Sequence, residues 1–186
     1  MTTRGIAIAE LPPDVLARLG PNSPLRDPDT IKTPRQAREA REGADLIRTI
    51  FGRVGSGDLG APVPGLPAAL ALLYHVPNNP RSAVAGARLK ANGMRRGFPD
   101  YCLPVARGPF HGLYFEFKPN DGQGPRAEQR AWLDALAQEG YAAAVVWGVE
   151  AALALLLRYE SLSEVGLAGA VAILRRAHPK IRVYEP

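Results

Sequence analysis

Residues 95–118 read RRGFPDYCLPVARGPFHGLYFEFK, and the architecture of the chain can be built outward from them. Two extended runs, Pro99 to Val105 and Gly112 to Lys118, flank the turn-like Ala106-Arg107-Gly108-Pro109. Successive side chains of a strand point to opposite faces. Leu113, Phe115 and Phe117 therefore share one face of the second run, and Tyr114, Glu116 and Lys118 share the other. If the runs pair as a hairpin, Asp100 at the start of the first arrives beside Glu116. An isolated Pro-Asp opens turns, and an isolated Glu-x-Lys is commonly a weak solvated ion pair. Joined across one hairpin, the two motifs form a different unit. Two carboxylates supply the oxygen ligands that Mg²⁺ or Mn²⁺ takes beside phosphate oxygens and waters. A neighbouring ammonium can stabilise charge that develops during phosphodiester hydrolysis.

Upstream, residues 81–92 suit a short Ala-rich helix closed by Gly93. Residues 70–76 (LALLYHV) read as a buried strand that a helical turn can precede, and a run rich in Gly and Pro at 52–67 reads as a loop insert. Residues 35–51 form an amphipathic helix with Ala40, Ala44, Ile47 and Phe51 at helical spacing. Its arginines 35, 38 and 41 either touch an anion or pair with Glu39 and Glu42. The first 35 residues are too rich in proline for a long helix, with one short helix fitting at 13–19. Downstream, 125–139 reads as a helix, 141–147 as a strand and 149–159 as a helix. A last helix at 167–177 leads into a basic tail with Lys180 and Arg182. The order α-β-α-β-β-α-β-α gives an α/β fold with a central mixed sheet flanked by helices. The core domain spans 36–160, between an N-terminal segment (1–35) and a C-terminal helix with its tail (161–186).

The chain has 186 residues, with 23 Lys and Arg against 18 Asp and Glu, a formal net charge of +5. From Arg81 to Lys118 there are seven basic and two acidic residues, which account for the whole excess. A single cysteine, Cys102, excludes an internal disulfide framework, and it reads as a small buried hydrophobe. No apolar run approaches the ~20 residues that span a bilayer. These features predict a cytoplasmic protein with an anionic partner and no membrane. Arg81, Arg88, Lys90, Arg95 and Arg96 are the candidate contacts to a phosphate backbone. His75 and His111 lack metal-ligand spacing and read as structural, and Trp132 and Trp147 as packing residues.

Four segments, HVPNNPR (75–81), LKANGMRRGFPD (89–100), GLYFEFK (112–118) and PRAEQRAWLDALAQEGYAAAVV (125–146), resemble the virus-type replication-repair nuclease (VRR-NUC) family. The resemblance covers roughly 36–157 and is to the stand-alone, phage-type members of this branch of the PD-(D/E)xK superfamily. It implies a restriction-endonuclease-like core and a metal-dependent DNA endonuclease using Mg²⁺ or Mn²⁺. It implies Asp100 and Glu116 as metal carboxylates, the Phe117 carbonyl as a further ligand, Lys118 as the motif lysine and Gln129 as a supporting residue. The acidic residue that the family carries on its first core helix is assigned to Glu42, with Asp45 in reserve; Ile47 stands where the family usually has Gln. Asn78 matches the HVPN asparagine and joins the expected nucleic-acid contacts. The implied substrates are branched, nicked or single-strand-containing DNA in replication, repair or recombination, with a helicase or replication protein as a partner. An assembly of identical copies is compatible with this reading. Two alternatives are a non-catalytic DNA-binding module on the same fold and a sequence-specific restriction-type endonuclease.

Overall fold

A computed structural model describes residues 34–52, 60–76 and 82–186 of the chain. The proline-rich start with its helix at 13–19, the centre of the 52–67 insert, Asn78 and Arg81 lie outside the described residues. The rest falls into two units: residues 34–78 together with 95–186, and a second to which 82–94 belong.

The larger unit is built on a five-stranded sheet in the order β1-β2-β3-β4-β5, which is also the order along the chain. Helix α1 (Pro34–Phe51) is followed by a 3₁₀ turn (Ala68–Leu72) and β1 (Tyr74–His75). After the second unit's helix α2 (Ala83–Ala91) come β2 (Tyr101–Leu103) and β3 (Leu113–Lys118). Helix α3 (Ala127–Gln138) crosses to β4 (Ala142–Trp147), followed by α4 (Val149–Glu160), α5 (Leu167–Arg176) and β5 (Ile181–Tyr184). Only β3 and β4 are parallel; the other pairs are antiparallel, so the sheet is mixed as expected.

Period-two alternation sorts the sheet into two faces. Leu113, Phe115 and Phe117 join Ala144 and Val146 of β4 in the main core with α1, α4 and α5. The opposite face sets Ala143 and Val145 against Leu133 and Ala137 of α3. Full burial of a side chain such as Phe115 or Leu155 contributes about 1.5–3 kcal/mol. Three layers result: α1, α4 and α5, then the sheet, then α3.

Three local expectations change. The 70–76 run is not a buried strand: Leu70 is buried in the 3₁₀ turn, and Tyr74 on β1 is 56% exposed. A short apolar run has no period that separates strand from helix, and β1 is an edge. On α1 the buried stripe is Leu46 and Ile50, flanked by Ile47 and Phe51, while Ala40 and Ala44 are exposed. The basic tail is strand β5, where Ile181 and Val183 enter the core and Arg182 faces solvent.

In the second unit, Ser82 caps α2 by accepting a hydrogen bond from the Ala85 amide at 3.1 Å, and Gly93 closes it with φ +92°.

Candidate metal centre

The register Tyr101↔Phe115, continued by one residue, sets Asp100 across from Glu116. The next step would oppose Pro99 to Phe117, and proline has no amide to donate. Beside this point a side chain meets the other strand's own donor: the Phe117 amide donates to Asp100 Oδ2 at 3.0 Å. The Asp100 carbonyl accepts from the Val76 amide at 2.8 Å, which ties β1 to the same point.

Glu116 and Lys118 project together on the α3 side, as alternation requires, and both are buried. Lys118 Nζ donates to Glu116 Oε1 at 2.6 Å and to Gln129 Oε1 at 3.3 Å. Gln129 Nε2 donates to Glu116 Oε1 as well. Gln129 also caps α3, its Oε1 accepting from the Arg126 amide at 2.8 Å. A residue needed to start the helix thus braces the carboxylate and the ammonium.

The third carboxylate comes from α1. Oxygens of Glu39, Asp100 and Glu116 all lie within 4.8 Å of one another. Gly43, one turn beyond Glu39, lets α1 approach β2: a Cβ there would stand 3.1 Å from the Tyr101 hydroxyl, which donates to the Gly43 carbonyl at 3.4 Å. Glu42, expected as the helix acid, is not in this group. Its Oε2 accepts from the Asn120 amide at 3.0 Å, holding the segment that follows β3. Asp45, the reserve, pairs with Arg48. Glu39 and Glu42 lie three residues apart on neighbouring helical positions, so spacing alone could not separate them.

The segment after β3 is fastened at several further points. Arg38 pairs with Asp121 rather than with a neighbour on its own helix. The Trp147 indole donates to the Gly122 carbonyl at 3.0 Å, and Lys180 donates to the Asn120 side chain. Trp147 therefore does more than pack, and Arg182 lies over its ring.

Burial, and then the adjacent Asp100 carboxylate, push the Glu116 carboxyl up to about 8 despite Lys118. Burial also raises Asp100, partly offset by the Phe117 amide and by Lys118. Glu116 Oε2 is buried without a hydrogen-bond partner. Converging carboxyl groups, one with an orphaned oxygen, fit a hard divalent cation. The three acids could hold such an ion.

Of the expected nucleic-acid contacts, Arg95 and Arg96 are exposed on the segment leading into β2, and Arg88 and Lys90 are exposed on α2 of the other unit.

A mixed sheet with helices on both faces, carrying acids on a hairpin and on the first helix, is a restriction-endonuclease-like α/β fold. The fold is shared with a solved structure described as "VRR_NUC domain protein", with a TM-score of 0.52, at 23% identity and over 68% of this chain and 90% of that one. No family model matches the chain, and no curated protein does. At this identity the likeness is one of fold, and the description names the family that the sequence motifs resemble.

Proposed function

We propose that the protein is a divalent-metal-dependent DNA endonuclease that hydrolyses phosphodiester bonds. The observation that carries this reading is the convergence of Glu39, Asp100 and Glu116 beside the buried Lys118, with one Glu116 oxygen left unpaired. Asp100, Glu116 and Glu39 would hold Mg²⁺ or Mn²⁺, with the Phe117 carbonyl as a further ligand. Once bound, the cation would polarise the scissile phosphate and lower the pKa of the attacking water. Lys118, fixed by Glu116 and Gln129, supplies a preorganised positive charge where negative charge grows on the phosphate oxygens. Gln129 keeps both partners in register and is a positioning residue.

DNA as the substrate is supported by the motif resemblance, the shared fold and the basic excess of the 81–118 stretch. Arg95 and Arg96, with Arg88 and Lys90 on the other unit and Asn78 and Arg81, are proposed backbone contacts. Nicking or structure-specific cleavage of branched or single-strand-containing DNA in replication, repair or recombination, in concert with a helicase or replication protein, rests on the resemblance alone.

The test incubates the purified chain with plasmid and forked DNA in Mg²⁺, Mn²⁺ or EDTA, beside a Glu116→Ala variant. Cleavage should require the metal and be lost in the variant. Cleavage unchanged in Glu116→Ala would sink the site assignment. Binding without metal-dependent cleavage would leave a DNA-binding module, and a discrete ladder from plasmid would point to a restriction-type enzyme.

A further inference from the structure

Trp132, on α3 one turn beyond Gln129, gathers the segment that delivers Asp100. Its indole Nε1 donates to the Arg96 carbonyl at 3.0 Å, and the Phe98 ring meets it edge-on with centroids 5.0 Å apart. Gly97 sits between these contacts at φ +85°, its Cα so close to α3 that an added Cβ would stand 2.7 Å from the Glu128 carbonyl carbon. The Arg95 guanidinium lies over the indole, 5.4 Å from its centroid. Packing against a ring engages a guanidinium's face and leaves its five N–H donors in plane. Arg95 is exposed and, among the described residues, forms no ion pair, which leaves its donors open to a ligand there. Five residues of chain span at most ~18 Å, so this cation lies within a few nucleotides of whatever phosphate meets Asp100.

We propose that Trp132 is a positioning residue that holds Arg95 as a preordered contact to a DNA backbone phosphate flanking the scissile bond. The proposal rests on the nuclease reading. Preordering matters because a free arginine side chain loses rotamer freedom when it is fixed. A ring that fixes it beforehand removes part of that cost from binding.

The test measures affinity of the full chain for a forked DNA in EDTA across a salt series. Each phosphate contact adds about 0.7–0.9 to the slope of log affinity against log salt. Arg95→Ala should lower the slope by about that much. Trp132→Ala should lower it by a similar amount although it removes no charge, and should add nothing in an Arg95→Ala background. Trp132→Phe keeps a ring beneath the guanidinium and should retain the slope, and it guards against a Trp132→Ala variant that fails to fold. A Trp132→Ala protein that melts normally and keeps the parent slope overturns the proposal, as does loss of slope in Trp132→Phe equal to that in Arg95→Ala. If the parent itself lacks salt-dependent binding and metal-dependent cleavage, the nuclease reading has failed; if both are intact and only the variants disagree, the clamp alone has failed.

Discussion

Among single side chains, Glu116 is where folding and chemistry conflict most directly. Folding buries its carboxylate beside a second one, so its pKa rises from an ordinary 4.5 to about 8. The folded protein therefore holds a proton that the unfolded chain would release between those values. The stability linked to that proton is present at low pH and is lost as pH rises through about 8. A divalent cation bound there would replace the proton and need the carboxylate ionised. Thermal melts in EDTA should show Glu116 lowering Tm as pH rises from about 5.5 to about 8. Saturating Mn²⁺ should raise Tm more at the upper pH than at the lower. A Mn²⁺ shift that is no larger at the upper pH would count against metal binding at Glu116. This conflict was half legible in the sequence. Alternation placed Glu116 and Lys118 side by side, but only the packing of α3 shows that water is excluded from both.

Helices and strands show where reading by pattern fails. Helix α1 presents two acids three residues apart: Glu39 goes to the carboxylate group, and Glu42 to the Asn120 amide. Their functions should separate on substitution. Glu39→Ala should lower Mn²⁺ affinity and cleavage together, by about 10–100-fold if it acts as a ligand or supports one. Glu42→Ala should leave Mn²⁺ binding within a few-fold, since it loosens only the Asn120 connection. Isothermal titration with Mn²⁺ and single-turnover cleavage of forked DNA distinguish the two, and a larger loss of metal affinity in Glu42→Ala would reverse the assignment. The choice between these acids was not in the sequence because it depends on how α1 is rotated, and Gly43 against Tyr101 sets that rotation. Strand β5 is different. Ile181-Arg182-Val183-Tyr184 does carry period-two alternation, but its short length and basic neighbours gave it the look of a tail.

Over the whole molecule, the order of helices and strands up to α5 was readable because β3 and β4 are long, apolar and bounded by turn residues. The fold needed no disulfide to explain it. Charge distribution was readable in one dimension only: the stretch from 81 to 118 carries the full net excess. The structure divides that stretch between its two units, Arg88 and Lys90 in one and Arg95, Arg96, Arg107 and Lys118 in the other. Not all of these charges are available to an anionic partner. Arg107 is paired with the buried Glu160 at 2.8 Å, and Lys118 is enclosed with Glu116. A ligand would therefore meet a less basic surface than the composition suggests. Among the described residues, no helix is long and apolar enough to cross a membrane.

Asp100 has a second task, because its carboxylate accepts from the Phe117 amide and closes the top of the hairpin. Truncating it to alanine removes a hydrogen bond to a charged acceptor, worth about 1.5–3 kcal/mol, along with the proposed metal ligand. An inert protein made that way would confuse broken architecture with lost chemistry. Asp100→Asn keeps an oxygen for the Phe117 amide while withdrawing the negative charge. It should melt close to the parent and fail to cleave, whereas the alanine variant should melt lower. The asparagine form is then the better bait for trapping an uncut nucleic acid on this surface.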